Sequence, residues 1–240
     1  EMQKFSEILR FDREDAKRLE RRSFNAVEKE VEEPKKAITK EQQAAVSLNK
    51  FAISGPDQES QRLTTAEERK QHLQGGIQEI TNVMLDDFTL DEILSMILET
   101  IYRGIGFDRV VIFFKDPQTG VMKARYGLGP NSKKIVQEVN FAIDEAAHDL
   151  FNMSLKENKD LYIGNISDPE IRDFKPDWYA GLIFSPSFAI YPIVINKKGI
   201  GLIFGGHSEA GEHLDREQLN AMKTLRNQAA LAIKQAFAGR

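Results

Sequence analysis

The sequence predicts an α+β fold built on a central antiparallel sheet of about five to six strands. Long helices are expected on one face of this sheet, and loops and short helices on the other. Two hairpin patterns support the sheet, because strand-forming runs flank turn residues at 116–120 and again at 196–199. Apolar residues repeat at helical spacing before the first hairpin and after the second, which predicts the long helices.

Composition narrows the class of protein. The chain has 240 residues, 41% of them hydrophobic and 29% charged, with a net charge of −4 and no cysteine. The apolar fraction is sufficient for a folded core. Without cysteine, disulfides, thiolate metal sites and thioether-attached bilins are excluded. The slight acidity argues against nucleic-acid binding. No membrane span or secretory leader is apparent, so the expected location is the cytoplasm.

Residues 1–62 form the first of two predicted regions, a charged helical extension followed by a linker. Asp12–Glu33 predicts one solvated helix with a narrow apolar stripe, and Pro34 ends it. Ser54–Thr65 has the composition of a linker. Because this region has too few apolar residues for its own core, we expect it to pack on another domain or chain. The second predicted region, residues 63–240, is the folded domain.

Two helices are predicted before the sheet. The first carries a heptad-like apolar seam at Leu73, Ile77, Ile80 and Met84. Gly75-Gly76 lies inside it, and we interpret the pair as a weak point in the helix rather than a hinge. The second helix is expected to begin at Thr89 with a capping box that includes Glu92. It should end near Gly104 and Gly106.

The first hairpin joins Arg109–Phe114, apolar on both faces and therefore central, to Val121–Tyr126. Short elements are expected between the hairpins: a helix at 132–137, a strand at 139–141, a helix at 144–155, a strand at 161–163 and helical turns within 168–182. The second hairpin pairs Phe188–Ile195 with Ile200–Phe204. A final helix over Asp215–Phe237 completes the fold.

This order of elements resembles a GAF domain across residues 68–238. The segments that carry the resemblance are Leu90–Leu94, Gly106–Phe113, Tyr191–Val194, Lys198–Ile203, Leu214–Leu219 and Gln228–Ile233. The resemblance implies a non-catalytic sensory domain that binds a small molecule at its sheet and dimerises through its terminal helices. Gly76–Thr81 and Tyr102–Arg109 are also similar to GAF domains that follow HDOD domains in bacterial signalling proteins. Residues 5–33 would then be the tail of such an upstream domain.

The aromatic pair Trp178 and Tyr179 is the best candidate for a ligand wall, because flat rings combine contact area with a polar group. Arginines would pair with an anionic ligand, and strand hydroxyls would supply hydrogen bonds. The predicted ligand-binding set is Arg125, Arg172, Trp178, Tyr179, Ser187 and Tyr191. The alternative is that the aromatic residues only fill the core and leave no cavity. The identity of any cofactor stays open.

Other chemistries are less well supported. Asn196-Lys197 matches the start of a cyclic-nucleotide pattern, but the remainder of that pattern is broken. We expect Asn196 and Gly199 to form a hairpin turn with positive φ instead. The His207–His213 stretch is interpreted as a solvated loop, and the acidic residues around His148 as a helix start, so no metal site is predicted.

Two alternatives to a ligand sensor stay open at this point. One is a structural dimerisation module with a collapsed pocket. The other is an enzyme that uses Asp144 or His148, although no nucleophile or phosphate-loop motif supports catalysis.

Overall fold

A computed structural model describes residues 65–144, 147–211 and 213–238 of the chain. The predicted extension over residues 1–62, with its Asp12–Glu33 helix, lies outside this range. The helices are α1 (Ala66–Val83), α2 (Leu90–Thr100), α3 (Ser132–Glu138), α4 (Leu150–Glu157) and α5 (Arg216–Ala238). The strands are β1 (Arg109–Lys115), β2 (Met122–Leu128), β3 (Asn140–Phe141), β4 (Leu161–Ile163), β5 (Ser187–Ile195) and β6 (Lys198–His207).

The strands form one six-stranded sheet in the order β3-β2-β1-β6-β5-β4, with every neighbouring pair antiparallel. The predicted α+β class and antiparallel sheet are confirmed. β1 lies inside the sheet between β2 and β6, and Val110–Phe114 are all buried. The apolar run of β1 therefore has the cause inferred from the sequence, which is burial on both faces.

Each face of the sheet has its own core. On the face that we call the helix face, α1, α2 and α5 pack against strand residues such as Ile112 and Ile203. On the opposite cover face, α3, α4 and the loops up to Ile183 pack against residues such as Phe113 and Phe188. Successive strand residues alternate between these two cores, as the pleat of a β-strand requires.

α1 and α5 run parallel on the helix face. Glu217 near the start of α5 binds Lys70 at 2.9 Å, and further along Gln228 donates to Thr81 Oγ1 at 2.8 Å. Both helices therefore advance in the same direction. α1 begins with a complete capping box between Thr65 and Glu68. It continues without a break through its two glycines.

α2 begins at Leu90, where Thr89 Oγ1 accepts the Glu92 N–H at 3.3 Å. This bond is the first half of the predicted capping box. After α2 the chain makes a π-helical turn over Ile101–Ile105 and leaves it at Gly106, which has a φ of 87°. The predicted end of this helical segment is confirmed, since glycine adopts that φ without steric cost.

α4 starts later than the sequence suggested. Asp149 accepts the N–H groups of Phe151 and Asn152 at 3.0 and 3.1 Å, so it is the N-cap and α4 starts at Leu150. The backbone N–H of Asp144 instead donates to Asn152 Oδ1 at 3.0 Å. The prediction of a helix from residue 144 is wrong. Asp144 and His148 consequently do not share a helical turn.

The second hairpin also differs in detail. Its turn is made by Asn196 and Lys197, which have φ values of 50° and 65°. A two-residue turn that matches the strand twist needs positive φ at both central residues. The predicted partner Gly199 is already in β6, opposite Val194. Asn196 was predicted correctly, whereas Lys197 replaces Gly199 in the turn.

Candidate ligand site on the cover face

An aromatic cluster occupies the cover face of the sheet. Trp178 lies nearly parallel to Phe141, with an interplanar angle of 6° and ring centroids 4.6 Å apart. Phe151 of α4 meets the edge of Trp178 at 4.8 Å and also contacts Tyr179 at 5.5 Å. Offset-stacked and edge-to-face pairs at such distances are favourable aromatic arrangements.

The sheet provides the base of this cluster. Phe188 of β5 and Phe204 of β6 point to the cover face and lie 5.6 Å apart. Phe151 stacks 6.1 Å from each of them. Phe151, Phe188 and Tyr179 are fully buried, whereas Trp178 is partly exposed. The inner part of the cluster is therefore core, and Trp178 forms its outer edge.

Tyr179 ties the helical turn Asp177–Ala180 to the loop before β5. Its hydroxyl donates to the Ser185 carbonyl at 2.8 Å and accepts the Ser185 N–H at 3.2 Å. Burial raises the pKa of Tyr179 far above its ordinary value, so the hydroxyl stays neutral. Gly206 leaves room for this loop, since a Cβ there would meet Ser185 Oγ at 2.2 Å.

Arg109 brings a positive charge to the same face. It starts β1, and alternation with Val111 and Phe113 places it on the cover side. Its Nη1 donates to the Phe184 carbonyl at 3.1 Å, while its Nε is buried and has no hydrogen-bond partner. Burial lowers the pKa of Arg109, and its electrostatic contact with Tyr179 opposes this shift. The sequence analysis missed this residue, although the period of two along β1 could have indicated it.

The predicted binding residues occupy several places. Trp178 and Tyr179 lie together in the aromatic cluster. The guanidinium of Arg125, at an irregularity of β2, lies 4.0 Å from Asp116 Oδ2. Arg172 is exposed, and its nearest carboxylate is that of Asp173 at 3.6 Å. Neither ion pair involves Trp178 or Tyr179, and the role of the two arginines in binding stays a prediction.

Ser187 and Tyr191 lie on the other face of the sheet. They alternate with Phe188 and Ile190, which belong to the cover-face core. The Tyr191 hydroxyl donates to the Leu219 carbonyl of α5 at 3.4 Å. They were predicted as strand hydroxyls that supply hydrogen bonds, without a face being assigned. A single site of all six residues is thus not formed here, and binding by Ser187 and Tyr191 stays untested.

Residues 89–234 match the GAF domain family. The chain belongs to this family. GAF domains are sensory and regulatory signalling domains, and they are generally non-catalytic. The match covers both hairpins and most of α5, so it rests on the sheet and on both of its covered faces.

Solved structures share this fold. The GAF domain of an Acinetobacter phosphoenolpyruvate-protein phosphotransferase is similar with a TM-score of 0.57 and 17% identity, over 73% of this chain and 97% of that one. The GAF domain of a Coxiella burnetii phosphoenolpyruvate-protein phosphotransferase has a TM-score of 0.57 and 18% identity, over 73% of this chain and 98% of that one. A phycocyanobilin-bound GAF domain from a cyanobacterial phytochrome has a TM-score of 0.54 and 18% identity, over 70% of this chain and 97% of that one. No protein of curated function matches the sequence.

A second polar group of this GAF domain lies at the sheet edge, on the helix face. Arg226 of α5 donates to the Pro192 carbonyl at 2.8 Å, and its Nη1 lies 3.3 Å from Asp160 Oδ1. Burial raises the pKa of Asp160, and the charges of Arg226 and Lys223 oppose that shift. This group connects the start of β4, just after α4, to the C-terminal helix.

In the described part of this GAF domain, no three histidine or acidic residues are grouped in a way that could hold a metal ion. His207 is buried with its ring 4.8 Å from that of Phe107, whereas His213 is exposed. Among the described helices, none combines the length and hydropathy that crossing a bilayer requires.

Proposed function

We propose that this GAF domain is a non-catalytic sensory domain of a bacterial signal-transduction protein, and that it binds a small molecule on the cover face. The observation that carries the proposal is the position of Trp178. One face of its ring stacks on Phe141, and the side chain stays partly exposed at the edge of the aromatic cluster. A planar ligand would extend this stack by the same contact.

The ligand would act on the segment that covers the sheet. The turn Asp177–Ala180 carries Trp178, and the hydrogen bonds of Tyr179 to Ser185 hold it against the sheet. Because the inner cluster is filled by side chains, a ligand inserts only as this turn moves. Such a ligand shifts the protein between two arrangements to the extent that it binds one of them better.

The signal would leave through the terminal helices. α1 and α5 run side by side, and residues before α1 would connect to another signalling domain. We propose that this neighbour is an HDOD domain, since Gly76–Thr81 and Tyr102–Arg109 are similar to GAF domains that follow one. We also propose a cytoplasmic homodimer. Its support is the exposure of Leu85, in the turn after α1, and of Leu231 on α5, which are 81% and 49% exposed and lie beyond the Thr81–Gln228 contact.

Trp178 is the single tryptophan of the sequence, so intrinsic fluorescence reports on this site. The test is a panel of nucleotides, cyclic nucleotides, amino acids and carboxylic acids, measured by thermal unfolding and by Trp178 emission. A ligand of the native state raises Tm. We expect at least one compound to raise Tm by several degrees and to change the emission.

Variants locate the effect. Trp178→Ala should abolish the rise in Tm, and Leu85→Ala, in the exposed turn after α1, should retain it. Native mass spectrometry of the purified chain adds a search for a molecule that co-purifies. If no compound raises Tm and the protein carries no additional mass, the sensory proposal is wrong.

The second candidate is a structural dimerisation module without a ligand. The filled inner cluster favours this candidate, because five other aromatic rings have centroids within 6.1 Å of the Phe151 ring. This candidate predicts a dimer in solution together with a complete absence of ligand effects. The ligand panel and sedimentation analysis of the same protein therefore distinguish the two functions.

A further inference from the structure

We propose that Arg109 binds an anionic group, a carboxylate or a phosphate, of the molecule that this domain recognises. The inference rests on the proposed small-molecule function and specifies the chemical class of the ligand. It places the charged group at Arg109, at one end of the cover face, and the planar part of the ligand toward the aromatic residues.

The first argument is the missing counter-ion. The Arg109 side chain is partly buried, and within the described ranges no carboxylate lies in ion-pair distance of it. Of the four other partly buried arginines among the described residues, Arg103, Arg125 and Arg226 have a carboxylate oxygen within 4.0 Å, and Arg69 on the helix face does not. A cation withdrawn from water without an opposite charge costs free energy, so an anion that reaches Arg109 gains more than one at a solvated arginine.

The second argument is the donor geometry. The Phe184 carbonyl occupies Nη1 of Arg109, which leaves the Nε and Nη2 groups as neighbouring donors. These two N–H groups are parallel and match the two oxygens of a carboxylate or phosphate. Because Nε is shielded from water, an anion reaches both donors only when the loop around Phe184 moves aside.

The third argument is the apolar surface next to the charge. Among the described residues, Phe184 is one of three large apolar side chains that are exposed, with 42% of its surface accessible. Its ring centroid lies 5.8 Å from that of Tyr179, which itself lies 6.1 Å from Trp178. Aromatic surface therefore continues from the Arg109 contact to the partly exposed tryptophan. An anion attached to a ring fits this combination better than a small inorganic anion does.

The experiment uses three probes of the same size class: benzoate, phenyl phosphate and neutral benzamide. Binding to the full chain is followed by Trp178 emission and by isothermal titration calorimetry. We expect benzoate or phenyl phosphate to bind at least tenfold more tightly than benzamide, with an affinity that falls as salt is added. The ratio of the two anions shows whether carboxylate or phosphate is the preferred group.

Variants assign the effect to Arg109. Arg109→Gln should reduce anion affinity at least tenfold and leave benzamide binding unchanged. Arg216→Gln, at an exposed arginine at the start of α5 on the opposite face of the sheet, should have no effect. Arg109→Lys retains the charge without the paired donors, so it should show a partial loss. This variant also maintains the test if Arg109→Gln does not fold.

The outcomes distinguish a failure of the Arg109 anion site from a failure of the proposed sensory function. Equal binding of benzoate and benzamide, or anion binding unaffected by Arg109→Gln and Arg109→Lys, overturns the anion site and leaves a sensor of uncharged ligands. Failure of all three probes to bind at millimolar concentration also overturns the anion site. The sensory function fails only if the metabolite panel and the mass measurement fail as well.

Discussion

Gly75 and Gly76 are neighbours in α1, yet their surroundings are opposite. A Cβ on Gly75 would meet nothing within 4 Å, whereas a Cβ on Gly76 would lie 2.4 Å from Thr100 Oγ1. We expect Gly75→Ala to stabilise the protein by roughly 1 kcal/mol, the helix-propensity difference between the two residues. Gly76→Ala should destabilise it by about 1–3 kcal/mol, because the added methyl group forces α1 away from the end of α2.

Urea unfolding of the two variants checks this prediction. The double variant Gly76→Ala/Thr100→Ala removes the Thr100 atoms nearest to the new methyl group, so it should recover most of the loss relative to Thr100→Ala alone. Equal stabilisation by both single alanines would show that the two helices are not in close contact at Gly76.

At the same scale, sequence reasoning identifies residue types better than it identifies faces. Trp178 was predicted as a ligand wall beside Tyr179, and the structure places it at the outer edge of the aromatic cluster. Arg109 was not predicted and no face was assigned to Tyr191, since both assignments depend on strand register. A shift of one residue in strand pairing moves a side chain to the opposite face of the sheet, and the residue types alone do not determine that pairing.

Among the elements, the contact between the β4 edge and α5 has a predicted pH dependence. Burial raises the pKa of Asp160 above 3.8, despite the opposing charges of Arg226 and Lys223. The folded state therefore binds this proton more tightly than the unfolded state does. The contribution of Asp160 to stability is largest below pH 3.8 and decreases as pH rises through the folded-state value.

Asp160→Asn isolates this effect, because asparagine does not titrate. The free energy of unfolding of the wild type minus that of the variant should fall as pH rises from about 3.8 toward neutrality. Asp173→Asn, at an exposed ion pair, is the control. A difference that instead grows with pH would mean that attraction to Arg226 outweighs burial.

Element identity was accessible to sequence reasoning because long apolar patterns determine it. α1, α2, α5 and both hairpins follow from their hydrophobic period. The start of α4 was misplaced by six residues, since the choice between Asp144 and Asp149 as the cap depends on the Asn152 side chain. Such side-chain hydrogen bonds compete locally with the helix, and the hydrophobic pattern does not reveal which one prevails.

At the scale of the whole molecule, the described domain leaves one end of its helix pair uncovered. Leu231 lies one turn beyond Gln228 on α5, and Leu85 lies four residues beyond Thr81, in the turn that follows α1, while Gln228 and Thr81 are hydrogen-bonded. Because the helices are parallel, the two exposed leucines project from the same end. A second copy of the chain would cover this apolar surface by a two-fold contact.

We expect the wild type to sediment as a dimer, and the double variant Leu85→Glu/Leu231→Glu as a monomer at the same concentration. Two leucines per protomer do not supply the roughly 1,200–2,000 Å² that a stable interface buries, so the exposed sides of α1 and α5 must join the contact. Buried glutamates would then disrupt it through their desolvation cost. Lys175→Glu, a charge change at an exposed position of the cover-face loop and away from both helices, is the control.

Sedimentation velocity over a hundredfold range of concentration, with circular dichroism to verify folding, measures both variants. A double variant that stays dimeric would place the interface elsewhere. A wild type that is monomeric throughout would remove α1 and α5 as a route between subunits. Dissociation by the leucine variant alone would link the interface to α5, the helix that the Arg226–Asp160 ion pair joins to the residues between α4 and β4. In that case a ligand that displaces α4, whose Phe151 contacts Trp178, acts on a helix of the dimer interface.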